Sequence, residues 1–339
     1  MTNQPCFIIA EAGVNHNGSF ESAVELADVA KKAGADAVKY QTFKAESLTS
    51  KHAKKAEYQS VTTGSGESQQ DMLRRLELSY DQFSQLKDYC DSIGIEFMST
   101  PFDEASADFL HSIGMKRFKI PSGEATNPLL IQRVAGFGKP MILSTGMCNL
   151  GEVEQAIQWV RKTGSDADLW ILHCVSAYPA DPSTMNLRAM ATISQAFDVP
   201  TGFSDHSMGI HVSIAAAALG ACCIEKHFTL DKNLPGPDHQ ASLEPQELAT
   251  MISSIRDVES SLGDGVKRMM PNEENTAAVA RKSWILGRDM RAGEAISATD
   301  LVLKRPGTGI PGARLEEILG RTLRADAEAD TMLDWSMLA

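Results

Sequence analysis

A repeated alternation constrains this chain more than any other feature of it. From Cys6 to about Gly263, short apolar runs rich in Val, Ile and Phe are followed by longer stretches with apolar residues at helical spacing. The runs at 7–12, 37–42, 95–100, 117–121, 140–144, 169–174, 201–204 and 222–228 are predicted strands. Helices are predicted at 19–33, 80–93, 104–112, 128–136, 151–162, 187–197 and 209–219, and 245–262 closes the series. Gly34, Gly94, Gly114, Gly138, Gly164, Gly220 and Gly263 stand at helix ends, and all but the last are followed within a few residues by a strand. About eight strand–helix units over about 260 residues match a (β/α)8 TIM barrel in number and size. A doubly wound open sheet is the alternative, because periodicity alone does not distinguish closure from an open edge.

The barrel is therefore expected over residues 1–263. Residues 264–280 are polar and irregular and read as a linker. Residues 281–339 carry Gly287, Gly293, Pro306-Gly307, Pro311-Gly312 and Gly320 between short apolar runs, and read as a small, mostly-β module with a thin core. One connection is long for a barrel. The polar stretch from Lys44 to Leu78 includes Thr62-Thr63-Gly64-Ser65-Gly66 and follows the second strand, where long loops serve as lids or substrate loops.

Hydrophobic residues make up 43% of the chain and charged residues 22%, a composition that folds around a core. A formal net charge of −12 disfavours a nucleic-acid partner, so an anionic substrate needs a local cluster of cations. The N-terminus has no basic leader, and its apolar run is broken by Glu11, so neither a signal peptide nor a membrane span is expected. The six cysteines form no CxxC pair and mostly fall within apolar runs, which points to a reducing cytoplasm without disulfides. With no secretion signal expected, the glycosylation-type triplet Asn17-Gly18-Ser19 is set aside.

Barrels carry their chemistry at the C-terminal ends of the strands. There the chain places Glu11, Lys39 and Gln41, Thr100, Lys119, Ser122-Gly123-Glu124, Ser144, Ser176 and Tyr178, Ser204-Asp205-His206, and Glu225 and His227. Any one Ser or Thr among these is ordinary for a wet strand end. The set is not, because buried charges cost several kcal/mol each unless they are paired or bind something. Lys39 and Lys119 supply positive charge, and Thr100, Ser122, Ser144 and Ser204 supply hydroxyls. Together they suit a small molecule bearing a phosphate and a carboxylate. His206 and His227, on neighbouring strands, suit one divalent metal with open positions left for substrate. Such a metal would polarise an aldehyde oxygen, while Glu11, Glu124 and Asp238 handle protons and sugar hydroxyls. Gly307-Thr308-Gly309-Ile310-Pro311-Gly312 fits GxGxxG but opens no βαβ unit, and reads as a false dinucleotide motif.

The motifs Glu11-Ala12-Gly13-Val14-Asn15-His16-Asn17-Gly18, Lys119-Ile120-Pro121-Ser122-Gly123-Glu124, Gly202-Phe203-Ser204-Asp205-His206 and Glu225-Lys226-His227-Phe228-Thr229 resemble the N-acetylneuraminate (sialic acid) synthase family. So do Leu143-Ser144-Thr145-Gly146-Met147, His173-Cys174-Val175-Ser176-Ala177-Tyr178-Pro179, Pro235-Gly236-Pro237-Asp238-His239 and Lys304-Arg305-Pro306-Gly307. The resemblance implies a barrel followed by an antifreeze-like (SAF) domain, in a domain-swapped homodimer. It implies condensation of phosphoenolpyruvate with N-acetylmannosamine or a close analogue, with phosphate leaving by C–O cleavage. Lys39, Thr100, Lys119, Ser122, Ser144 and Ser204 then match donor-binding positions, and His206 and His227 match ligands of Mn2+ or Mg2+. Glu11, Gln41, Tyr178 and Asp238 match positions near the sugar and the attacking water, Glu124 lies beside the donor, and Arg305 reaches a partner's site. Family members often have Thr-Asn where this chain has Val175-Ser176. The stretch from Gly66-Glu67-Ser68-Gln69 to Leu76-Glu77-Leu78 also resembles legionaminic acid synthases, which use a 2,4-diacetamido sugar.

Three rivals deserve comparison. A Schiff-base aldolase would use Lys119 as nucleophile and would need no histidine pair. A non-catalytic sugar- or ice-binding protein leaves the strand-end charges unexplained. A synthase for a phosphorylated sugar would want a second basic pocket.

Overall fold

The computed structural model describes residues 4–50, 53, 55, 66–164 and 168–339. The chain divides into two compact units, Met1–Gly263 and Asp264–Ala339.

In the first unit the alternation becomes strands β1 (Phe7–Gly13), β2 (Ala37–Thr42), β3 (Glu96–Pro101), β4 (Phe118–Ile120), β5 (Met141–Ser144), β6 (Leu169–Cys174), β7 (Thr201–Asp205) and β8 (Cys223–His227). Between them run α1 (Phe20–Ala33), α2 (Ala45–Leu48), α3 (Gln69–Leu76), α4 (Tyr80–Ile93), α5 (Glu104–Ser112), α6 (Pro128–Ala135), α7 (Leu150–Lys162), α8 (Ala189–Phe197) and α9 (His211–Ala218), and α10 (Pro245–Ser261) follows the last strand. All ladders are parallel, in the order β3-β2-β1-β8-β7-β6-β5-β4. β3 and β4 lie side by side and bring the ring round without a hydrogen-bonded ladder between them. The architecture is the expected barrel, not the open sheet.

Alternation along each strand sorts side chains into two shells. Outward residues such as Ile8, Val38, Phe97, Phe118, Phe203 and Ile224 pack with the helices in the main core. Inward residues Ile9, Ala37, Met98, Ile142, Leu172 and Cys223 form a separate apolar cluster inside the barrel. Two residues further along the same faces come Glu11, Lys39, Thr100, Ser144 and Glu225, all buried. One register step therefore takes the lumen from hydrocarbon to charge. Helix starts are written locally. Ser79 and Gln82 form a capping box on α4, Asn149 and Glu152 one on α7, and Asp103 caps α5.

The long connection after β2 is not bare loop. It contains α2 and α3, and Val14, Phe43, Met72 and Leu76 form a satellite core there. Of the Thr62-to-Gly66 stretch only Gly66 lies within the described residues.

In the second unit, β9 (Ser283–Leu286) and β10 (Leu301–Lys304) pair antiparallel around a core including Leu286, Ile310, Ile318 and Leu333. Isolated bridges such as Met290↔Ala327 and Leu323↔Leu338 extend the β character. Residues 264–280 are not irregular throughout, because 274–280 form the helix α11 (Glu274–Ala280). Its Ala-rich sequence favours that conformation once Pro271 has started the turn. Among the described residues no helix is long and apolar enough to cross a membrane.

On the outer face of β8, Lys226 is fully buried and lies 3.0 Å from Asp205, whose carboxylate also accepts from the Ser207 amide and the hydroxyls of Ser207 and Ser213. Removing one member leaves an uncompensated buried charge. Lys226→Met is expected to destabilise the barrel by about 3 kcal/mol. Chemical denaturation checks this, and a loss below about 0.5 kcal/mol would show that the pair contributes little.

Candidate functional site

The upper lumen opens into a cavity of about 470 Å³. Its wall includes Glu11, Lys39, Gln41, Thr100, Lys119, Ser122, Ser144, Ser176, Tyr178, Ser204, His206, Glu225, His227 and Asp238. Fourteen of the sixteen residues singled out from the sequence thus meet in one place. Register explains much of this, since Glu11 stands opposite Lys39 and His227, Gln41 opposite Thr100, and Ser204 opposite Glu225.

Two residues fall elsewhere. Glu124 sits in a short 3-10 turn after β4, off the cavity wall, where its carboxylate accepts from the Asn127 side chain at 2.7 Å. Arg305 belongs to the second unit, where it is exposed and its Nε donates to the Ala280 carbonyl.

Glu225 lies at the electrostatic centre. Its carboxylate is 3.3 Å from Lys119 Nζ and 3.6 Å from Lys39 Nζ, and it accepts from Ser204 Oγ at 2.9 Å. Burial opposes its charge, but the two lysines outweigh burial and hold the carboxyl down to about 2. Lys39 also pairs with Glu11 at 2.6 Å and donates to Thr100 Oγ1 at 3.0 Å. Burial disfavours the Lys39 charge, yet Glu11 and Glu225 together raise its pKa. Glu11 goes the other way. Burial raises it to about 7 against the pull of Lys39, and Glu225 adds to the rise. The site therefore holds one firmly ionised carboxylate and one that exchanges its proton near neutrality.

Around this network some buried polar atoms lack a protein partner. Ser144 Oγ and His227 Nδ1 are both buried without a hydrogen bond. Unmet polar atoms facing a cavity are the signature of a ligand site. Ser122 Oγ accepts from the Gly146 amide, which fixes it at the cavity wall.

The two imidazoles are poised to bind through neutral nitrogen. His206 Nδ1 lies 2.7 Å from the Val175 carbonyl, which places the ring proton there and leaves Nε2 as the ligating atom. Its ring centre is 5.6 Å from that of His227 and 4.2 Å from that of Tyr178. Burial lowers the pKa of both histidines, and for His227 the neighbouring His206 and Lys39 lower it further. These donors fit a divalent metal, although no cluster of three or more His, Cys, Asp or Glu occurs among the described residues. The remaining positions would be left to water or substrate oxygen.

The sequence reading missed one wall. Gln69, Met72, Leu73 and Leu76 of α3 line the cavity. Ser68 caps that helix, and Met72 and Leu76 repeat at a spacing of four, so a local signal existed inside the stretch taken as loop.

Asp238 is buried without a charge partner, and burial raises its pKa to about 6. A carboxyl whose folded pKa lies above its unfolded value weakens the fold as pH rises from about 4 through about 6. Asp238→Asn is thus expected to raise stability at pH 8 by on the order of 2 kcal/mol and to change little at pH 4. Thermal unfolding at the two pH values tests this, and destabilisation at pH 8 would contradict it.

Comparison with known proteins agrees with the geometry. Residues 26–267 match the NeuB family and residues 281–339 match the SAF domain. An N,N'-diacetyllegionaminic acid synthase of Legionella pneumophila is 50% identical over 337 residues, spanning 98% of this chain and 95% of that protein. One from Campylobacter jejuni is 46% identical, spanning 96% and 98%. A crystal structure of the N-acetylneuraminic acid (sialic acid) synthetase from Leptospira borgpetersenii, in complex with citrate, is 34% identical with a TM-score of 0.72, over 81% of this chain and 90% of that one.

Proposed function

We propose, from the premise that this chain belongs to the NeuB family, that it condenses phosphoenolpyruvate with N-acetylmannosamine or a close analogue and water, giving a sialic-acid-type acid and phosphate. One observation carries the reading. Two buried lysines, paired with Glu11 and Glu225, share a single lumen with unpartnered hydroxyl and imidazole atoms.

In this reading the donor binds in the lower part of the cavity. Lys39 and Lys119 attract its phosphate and carboxylate, and Thr100, Ser122, Ser144 and Ser204 supply hydrogen bonds. Glu225 pairs with both lysines and aims them at the cavity. His206 and His227 would hold Mn2+ or Mg2+, which when bound supplies Lewis-acid polarisation of the acceptor's aldehyde oxygen. The donor's methylene carbon forms the new C–C bond at the aldehyde carbon. Water then adds to the carbon bearing the phosphate oxygen, and phosphate departs by C–O cleavage. Glu11, with a proton affinity near neutrality, is suited to exchange protons with this water. Gln41 holds it in place by donating to Oε1 at 3.1 Å. Tyr178 and Asp238 face the sugar, Ser176 takes part in its recognition, and Glu124 acts from beside the donor. Arg305 is assigned to the site of a partner subunit in a domain-swapped homodimer, and the enzyme is placed in the cytoplasm. A Schiff-base route through Lys119 has less support, because that amine is already paired with Glu225.

A second reading of the acceptor, a 2,4-diacetamido-2,4,6-trideoxymannose leading to a legionaminic acid, is favoured by the relatives at 50% and 46% identity.

Phosphate release from phosphoenolpyruvate with Mn2+, measured with each sugar in parallel, tests the proposal. Release with at least one sugar, abolished by EDTA, is expected. His227→Ala is expected to lose about 100-fold or more of the metal-dependent rate while the fold persists. Unchanged activity in this variant would remove the histidine pair from the mechanism.

A further inference from the structure

One hydroxyl of the cavity wall has a sulfur behind it. Cys174 ends β6 and stands opposite Ser204 of β7. Leu172, two residues earlier on the same face, belongs to the apolar cluster inside the barrel. Cys174 is buried and does not line the cavity; it borders a separate pocket of about 380 Å³ with Thr145, Cys148 and Asn149. Its Sγ lies 3.1 Å from Ser122 Oγ, and Ser122 does line the cavity.

The packing around this contact is close. Ser122 Oγ accepts from the Gly146 amide at 2.9 Å. A Cβ at Gly146 would lie 2.9 Å from Ser122 Oγ and 3.0 Å from Cys174 Sγ, and would collide with Ser176 Oγ. Glycine there lets the segments that follow β4, β5 and β6 close on one another around the serine.

A serine hydroxyl has one proton to give and two lone pairs. The Gly146 amide occupies one lone pair of Ser122. Cys174 is the second neighbour, and either atom of that contact can be the donor. The two directions act oppositely on the cavity. If Ser122 gives its proton to sulfur, it turns lone-pair density towards the cavity, which repels an anion. If the thiol gives its proton to Ser122, both lone pairs are met and the hydroxyl proton is free to point at a phosphate or carboxylate oxygen. Hydrogen bonds to charged groups are the stronger kind, so a bound anion selects the second arrangement. Burial pushes the thiol pKa up, against the pull of Ser122 and Lys119, so the sulfur has a proton to give. An apolar side chain at this position would leave the second lone pair unmet.

We propose that Cys174 is a positioning residue for phosphoenolpyruvate binding: its S–H donates to Ser122 Oγ and turns the serine hydroxyl proton towards the anion in the cavity. This role rests on the phosphoenolpyruvate reading above.

Phosphoenolpyruvate binding, measured by isothermal titration calorimetry with Mn2+ present, tests it in the unaltered enzyme, Cys174→Ala, Cys174→Ser, Ser122→Ala and the double variant of Cys174→Ala with Ser122→Ala. Cys174→Ala is expected to weaken binding about fivefold. Cys174→Ser, which keeps a proton donor, is expected to stay within about twofold of the unaltered enzyme. On the Ser122→Ala background, Cys174→Ala is expected to add less than about twofold, because the hydroxyl it orients is gone. In turnover the alanine variant is expected to raise the KM for phosphoenolpyruvate while kcat and the acceptor KM stay within about twofold. Cys174→Val, which fills the space of the thiol without a donor, takes the place of the alanine variant if that one does not fold. Unchanged binding in Cys174→Ala, a serine variant as weak as the alanine one, or an equal loss on the Ser122→Ala background would overturn the role of the thiol and leave the phosphoenolpyruvate site standing. No binding by the unaltered enzyme would remove that site, and this role with it.

Discussion

The structure depends on the placement of Lys39, Lys119 and Glu225 inside a barrel whose lower lumen is hydrocarbon. Isolated, each charge would be costly to bury. Together they form a chain, with Glu225 between the two lysines and Glu11 on the far side of Lys39. Two positive and two negative side chains make the group nearly neutral, and Glu11's raised proton affinity tips it towards net positive charge. A small anion gains from that balance, even though the whole chain carries a formal charge of −12. Attraction is thus local and short-ranged, as expected of a ligand that binds inside the barrel and not along its surface.

The same alternation that builds the core builds the site. Ile9 and Glu11 lie on one face of β1, Ala37 and Lys39 on one face of β2, and Cys223, Glu225 and His227 on one face of β8. A slip of one residue in any of these strands would turn its charge into the outer shell and bring an outer-shell neighbour, such as Ala10, Val38 or Ile224, inward. Fold and chemistry are therefore specified by one register. The Lys226–Asp205 pair lies on the outer face of β7 and β8 and ties both strands to α9 through Ser213.

Much of this was legible in the sequence because parallel barrel strands are apolar on both faces, so a charge within such a run stands out. Lys39, Lys119 and Glu225 were conspicuous for that reason. Where the pattern was weaker, less was legible. The turn after β4 carries Glu124 towards Asn127, a local hydrogen bond that strand spacing does not reveal. The short helix at 274–280 was masked by the polar stretch before it. The cavity wall from α3 was missed because a two-turn helix inside a long connection has too few repeats to stand out. Glu225 drew notice as a ligand-facing carboxylate. Its place between both lysines depends on strands β2, β4 and β8 converging across the barrel, which no single run of sequence shows.

The central claim is a condensation in which water attacks carbon and phosphate leaves with its original bridging oxygen. Turnover in 18O-labelled water, followed by mass spectrometry of both products, addresses it directly. The account predicts label in the sugar acid and none in the released phosphate. Label in the phosphate would mean attack at phosphorus and would contradict the assignment of this site.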